Sequence, residues 1–329
     1  RLNYTTGVAD PYLLLEPSRT NLVTHSEYLG GFFGVSKGVI NYNATTAPDG
    51  TNSAGKYIVN NGEPANSPLT AYITLSPNTD YTLSLFVKKA DYNTANIRIY
   101  SVESGFSTNN FDLSNGTATD DQIEDYGNGW YRVWTTLTTA ASVTNSQIQL
   151  IRNAELIDGT SGIYIYGAQL EQGSYPTSYI PTYSVSATRA ADIISNFPSS
   201  NDLSVPSDSW TILWDLNENS ISAGQRWFDD TQQNIQLYPT APNKSRVYWR
   251  GIGQYIASGG GSKIIARYDG TTATEFHDGV NKGSASYSGQ LPFDFYTASS
   301  YNSGKWIINK FMVFPTALSD ADCITLTTI

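Results

Sequence analysis

Pro77-Asn78-Thr79-Asp80-Tyr81-Thr82-Leu83-Ser84-Leu85-Phe86-Val87 decides the fold class. Pro, Asn and Asp open a turn, and the seven residues after it alternate. Tyr81, Leu83, Leu85 and Val87 share one face of an extended chain, with Thr82, Ser84 and Phe86 on the other. The same reading extends outward to strands at Ile97–Val102, at Trp130–Leu137 after the Gly127-Asn128-Gly129 turn, at Ile148–Arg152, and at Ile163–Leu170 after Asp158-Gly159. Strands at this spacing, with no helical period between them, predict an antiparallel sandwich or barrel.

The chain has 329 residues, more than one core usually organises, so two domains are expected. Tyr, Thr, Ser, Asn and Gly are abundant and charged residues make up only 15%, which favours short strands and tight polar turns over helices. A net charge of -10 repels phosphate backbones and anionic lipid, so neither nucleic acid nor membrane insertion is an expected partner. No stretch approaches the roughly 20 apolar residues of a membrane span. Cys323 is the single cysteine, which excludes an intrachain disulfide and a Cys-based zinc site. With no initiating Met and no visible signal peptide, the chain reads as a processed product or part of a longer protein. Chance accounts for its four Asn-x-Ser/Thr sequons in so Asn- and Thr-rich a sequence.

The polar stretch from Ser195 to Asp208 holds Pro198 and Pro206 and marks the domain boundary. The expected division is a domain over 1–192, a linker over 193–208 and a second domain over 209–329. In the second, Trp210, Ile212, Trp214 and Leu216 share a strand face, and Asp269-Gly270 and Asp278-Gly279 are hairpin turns. The last strand, 306–314, leads to Ser319 and Asp322, spaced as a capping box for a short terminal helix.

Two separated segments carry a resemblance. Leu13-Leu14-Leu15-Glu16-Pro17-Ser18-Arg19-Thr20-Asn21-Leu22 resembles the opening of a carbohydrate-binding-module-like β-sandwich found in bacteriophage head and tail fibre proteins. Tyr164-Ile165-Tyr166-Gly167-Ala168-Gln169-Leu170-Glu171-Gln172-Gly173, continuing through Ser178-Tyr179-Ile180-Pro181 to Ala187-Thr188-Arg189-Ala190-Ala191-Asp192, resembles its close. Residues 209–329 resemble a concanavalin A-like or laminin G-like jelly roll. The resemblance implies an all-β chain of two tandem antiparallel sandwiches on the exterior of a virion. Its implied partners are host-surface glycans, other phage structural proteins and, in a fibre, two further copies forming a homotrimer. Attachment to glycans is the expected role; the alternatives are a decoration or assembly module and the binding appendage of a depolymerase.

No catalytic arrangement is legible. Glycoside hydrolases of this architecture place carboxylates in a Glu-x-Asp-x-x-Glu strand; the nearest match, Leu213-Trp214-Asp215-Leu216-Asn217-Glu218, has Leu213 where the nucleophile belongs. The lyase pattern Gln-x-His is absent, and His277, just before an Asp-Gly turn, reads as an exposed hairpin residue. No Gly-x-Ser-x-Gly elbow occurs, and the Gly259-Gly260-Gly261-Ser262-Lys263 run lacks the first glycine of a phosphate loop. No cofactor is expected. Asp229 and Asp230 offer carboxylates to calcium, but adjacent side chains on a strand point apart, so a solvated turn is expected.

Sugars stack on flat aromatic faces with amides and carboxylates around them, and the chain carries seven Trp and 23 Tyr. On the 130–137 strand, Trp130, Arg132 and Trp134 share the face opposite Tyr131, Val133 and Leu137, which makes either a binding strip or a cation–π cover. Trp210 and Trp214 fit the core. Trp134, and the turn-associated Trp227, Trp249 and Tyr255, are the candidate carbohydrate contacts. Glu16, Arg19, Glu171 and Arg189 are expected to join the first and last segments of the first domain.

Overall fold

In the computed structural model the described residues are 2–3, 10–11, 13–120, 122–192, 203–216, 228–230, 235–241, 244–249, 252–293, 295–297 and 306–328. The chain is almost entirely β, with one α-helix among the described residues. It forms two compact units: 19–189, and a second made of 1–18 together with 190–329.

The 19–189 unit has two large antiparallel sheets and a short two-stranded one. The six-stranded sheet runs Ile123–Gly127, Trp130–Thr138, Asp80–Lys88, Gly162–Gln172, Ala54–Val59 and Gly38–Thr45. The five-stranded sheet runs Thr117–Ala118, Gly105–Asp112, Thr94–Ser101, Gln147–Leu150 and Leu69–Tyr72. Their facing residues make one core, with Tyr81, Leu83, Leu85, Val87 and Val133 from one sheet and Ile97, Ile99, Ile148 and Leu150 from the other. The alternation that begins at Tyr81 therefore points into this core.

The opposite face of the six-stranded sheet is also buried. Phe86, Trp130 and Tyr166 form a second apolar cluster there, with Tyr126 and Tyr179 packed against it. Beside it, Asn21 donates to the carbonyls of Ala168 (3.2 Å) and Ile180 (2.9 Å), and its Oδ1 accepts from the N–H groups of Val23 and Leu170. Gln169 donates to Glu171 Oε1 at 2.6 Å and accepts from the N–H of Ile180 at 2.7 Å. Glu171, fully buried, also accepts from the N–H and hydroxyl of Thr177. Arg19 Nε lies 3.8 Å from Glu171 Oε2, and Arg19–Asn21 pairs antiparallel with Ala187–Arg189. The opening and closing segments of this unit are thus fastened to each other through Asn21, while Gln169 ties the closing segment to itself. Glu16 lies in the other unit, where its backbone N–H and carbonyl bond the side chain and N–H of Asp192.

The second unit repeats the two-sheet plan. One sheet runs Val280–Ser286, Thr272–His277, Lys263–Tyr268, Trp210–Leu216, Trp306–Phe314 and Leu13–Leu15; the other runs Gln254–Tyr255, Lys244–Trp249, Gln236–Ala241, Phe228–Asp230 and Phe295–Thr297. Trp210, Ile212, Trp214 and Leu216 enter the core, as their alternation requires. The hairpin at Asp278 and Gly279 has φ of 49° and 77°, which is why an Asp-Gly pair sits there. Ser319 caps the Asp320–Thr327 helix by accepting from the N–H of Asp322. The other face of the sheet, at Leu213, Ile265 and Phe276, packs with Cys323 of that helix.

The boundaries differ from the expected 1–192 and 209–329. Leu13–Leu15 pairs in register with Ile308 to Trp306, so the amino terminus supplies an edge strand to the carboxy-terminal unit. A continuous "LLLEPSRTN" segment hides this division at Ser18, because strand pairing is not a property of the segment alone. Of the expected 193–208 linker, 193–202 lie outside the described residues. A chain beginning at Arg19 should keep the thermal transition of the 19–189 unit and lower that of the other, by about 2–4 °C per kcal/mol of lost pairing. Scanning calorimetry checks it; an unchanged carboxy-terminal transition would refute the role given to Leu13–Leu15.

Candidate functional site

The five-stranded sheet of the 19–189 unit has one free face, and strand alternation decides what stands on it. In Thr94–Ser101 and Gln147–Leu150, Ile97, Ile99, Ile148 and Leu150 point inward, which leaves Asn96, Arg98, Tyr100, Gln147 and Gln149 outward. Ladder register aligns these into rows. Tyr72 stands opposite Gln147, Gln147 opposite Tyr100, and Tyr100 opposite Phe106. The next row is Thr70, Gln149, Arg98 and Thr108, and beyond it Asn96 faces Asn110.

The first row crosses four strands, a strip roughly 14 Å long at the usual strand separation. Tyr72 and Phe106 are 78% and 63% exposed, large apolar groups kept in water at both ends of the strip. The Arg98 guanidinium lies 4.2 Å from the Phe106 ring centroid and 5.0 Å from that of Tyr100, which braces both rings. At the Tyr72 end a cleft of about 360 Å³ opens, lined by Tyr72, Ile73, Thr74, Leu75, Val143, Asn145 and Ser146. Its 143–146 wall is held by Thr144, whose N–H donates to Glu103 at 2.7 Å. Asn96 Oδ1, Thr108 Oγ1 and Gln149 Oε1 have no hydrogen-bond partner. Buried polar atoms are normally paired, so three such atoms together on one sheet face are unusual. Flat rings in a row with amides and a guanidinium beside them can stack on a sugar and hydrogen-bond its hydroxyls.

The residues expected to bind sugar are not gathered in this way. Trp134 is half-buried on the six-stranded sheet, opposite Ser84. Its neighbours on that face serve the fold: Trp130 donates to the Thr46 carbonyl at 3.0 Å, and the buried Arg132 donates to Ser84 and lies 5.4 Å from the Phe86 centroid. Trp227 lies outside the described residues, as do Arg226, Asn217 and Glu218. Tyr255 is exposed, with Arg246 3.6 Å above its ring and Tyr248 beside it.

Trp249 is a correction, because it is wholly buried and stacks on Trp210 with ring centroids 5.8 Å apart. A side chain enclosed in the sandwich cannot meet a surface ligand. His277, expected on an exposed hairpin, is a second correction. It shares strand parity with Ala273 and Glu275, which turns it into the core, and its Nε2 is 2.9 Å from Glu275 Oε2. Glu275 also accepts from Trp249 Nε1 at 2.7 Å, so its carboxylate links these three residues within the sandwich, while His277 Nδ1 has no hydrogen-bond partner.

Asp215 lies 4.0 Å from Lys263 Nζ and accepts from Asn309. Among the described residues, no group of three or more His, Cys, Asp or Glu could hold a metal ion.

Tyr72, Tyr100, Phe106 and Arg98 are not among the expected contacts, which rest on the 130–137 strand face and on aromatic residues beside turns. The signal available was the alternation Ile97-Arg98-Ile99-Tyr100 and Gln147-Ile148-Gln149-Leu150, apolar residues inward and ring or amide outward. No family model and no curated protein matches the chain. Among solved structures it matches the mouse laminin alpha1 chain, domains LG4-5, at 12% identity and a TM-score of 0.22, over 82% of this chain and 90% of that one. A likeness that slight carries no argument about the site.

Burial separates the two kinds of aromatic residue. Trp249→Ala should cost about 3–5 kcal/mol of unfolding free energy, whereas Tyr72→Ala and Phe106→Ala should stay within about 0.5 kcal/mol of the parent. Denaturant titration followed by circular dichroism measures all three, and a large loss at Phe106 would show that the strip belongs to the packing.

Proposed function

We propose that this chain is a non-catalytic attachment module that holds glycans on the outer face of the five-stranded sheet. The observation that carries the reading is the Tyr72, Gln147, Tyr100 and Phe106 row, with Arg98 braced against its rings. Stacking supplies affinity for the C–H faces of sugars, and the adjoining amides supply orientation. The outward residues of these rows include no pair of carboxylates flanking the strip, the arrangement that bond cleavage by acid and base would need. The similarity of the segments 13–22 and 164–192 to bacteriophage fibre modules supports a place on the exterior of a virion, with the host's surface glycans as the target and a homotrimer as the assembly.

Tyr100→Ala and Phe106→Ala should each weaken glycan binding by about 1–3 kcal/mol while the fold is retained. Host polysaccharide incubated with the protein should release no reducing ends. Glycan-array screening followed by calorimetric titration tests the reading. Retention of no glycan would sink it, and so would binding that survives loss of both rings.

A further inference from the structure

We propose that the glycan held on this face is acidic, with its carboxylate or sulfate group seated by the guanidinium groups of Arg98 and Arg152; this inference rests on the glycan reading above. Arg98 stands outward in the middle of the sheet, next to Tyr100 and Phe106. Arg152 follows the Gln147–Leu150 strand, and its N–H donates to the carbonyl of Asn96, which brings it alongside the Thr94–Ser101 strand. The two cations sense each other: burial first, and the Arg152 charge second, hold the Arg98 guanidinium below its ordinary value. Like charges brought together on a half-buried surface are unfavourable unless an anion joins them.

The protein supplies no such anion among the described residues. No side-chain hydrogen bond or ion pair holds Arg98 or Arg152, and the Nε of each is buried without a partner. The two carboxylates at the Thr94 end of the sheet are engaged elsewhere. Asp112 accepts from the N–H groups of Ser114 and Asn115, and Glu155 from the N–H groups of Asn93 and Thr94. Asn96, only 3% exposed, donates its amide to Asn110, and its Oδ1 has no partner, which leaves an acceptor for a sugar hydroxyl beside the cations' strand. In a chain of net charge -10, Arg98 lies beside the aromatic strip with no carboxylate bonded to it. A planar guanidinium fork matches the oxygens of a carboxylate or sulfate, which a neutral sugar lacks.

The test is a glycan array of matched pairs: glucuronate and glucose oligomers, galacturonate and galactose oligomers, and 6-sulfated and unsulfated galactose oligomers. The acidic member of at least one pair should bind about ten- to a hundredfold more tightly, with the carboxylate and sulfate arms showing which anion is preferred. Arg98→Gln and Arg152→Gln should each bring acidic binding down to the neutral level. Added salt should weaken only the acidic member. Melting curves verify folding, and if one variant fails to fold, the other variant and the matched pairs on the parent protein still decide. Equal binding of acidic and neutral members, both lost on Tyr100→Ala, overturns the acidic ligand and leaves the glycan reading intact. Binding of no member overturns both.

Discussion

The clamp formed by Asn21, Gln169 and Glu171 is the constraint on which the rest of the 19–189 unit depends. It buries two amides and a carboxylate: Asn21 bonds Ala168, Leu170 and Ile180 across the chain, and Gln169 and Glu171 bond Thr177 and Ile180 within the closing segment. Such groups are costly to bury unless paired, and once paired they fix one arrangement of the strands that bear them. By drawing 19–27 and 175–183 across the six-stranded sheet, the clamp also covers that sheet's second face, which is already lined by Phe86, Trp130 and Tyr166. The free broad face of this sandwich is then the outside of the five-stranded sheet. An open sheet face is in this sense a by-product of closure: the larger sheet is buried on both sides, and its partner is left to meet solvent.

The second unit solves the same problem with different material. Its larger sheet is covered on one side by the sandwich core and on the other by the Asp320–Thr327 helix, seated through Cys323 on Leu213, Ile265 and Phe276. Within the core, Trp249 is held between the stacked ring of Trp210 and the carboxylate of Glu275, which also meets His277. A buried ionisable pair is weak grounds for stability, but removing one member would strand the other. The three residues therefore act as a unit, and their burial on both sides separates them from any role at the surface.

Charge and shape combine on the open face in a way that bulk composition conceals. The acidic chain discourages anionic partners over most of its surface, and the proposed acidic ligand depends on the Arg98 and Arg152 charges as a local departure from that balance. An aromatic strip beside a confined cationic end would orient a chain-like ligand, with stacking supplying affinity and the arginines its register. The reading of the chain as an attachment module depends on this combination more than on the number of its aromatic residues.

Local order was determined by the sequence. The alternation at Tyr81 to Val87, the Asp278-Gly279 hairpin, the Ser319 cap and the core positions of Trp210 and Trp214 all follow from interactions within a few residues, and they suffice for an all-β fold of short strands. Tertiary structure decided everything that depends on which strand lies beside which. Leu13–Leu15 joined the carboxy-terminal sheet, Trp249 and His277 turned inward, and Tyr72 came into one row with the hairpin partners Tyr100 and Phe106 through the Gln147–Leu150 strand between them. The physical reason is that a strand's sequence sets which side chains share a face, while only pairing and register set which faces meet, and a one-residue change of register would exchange core for surface.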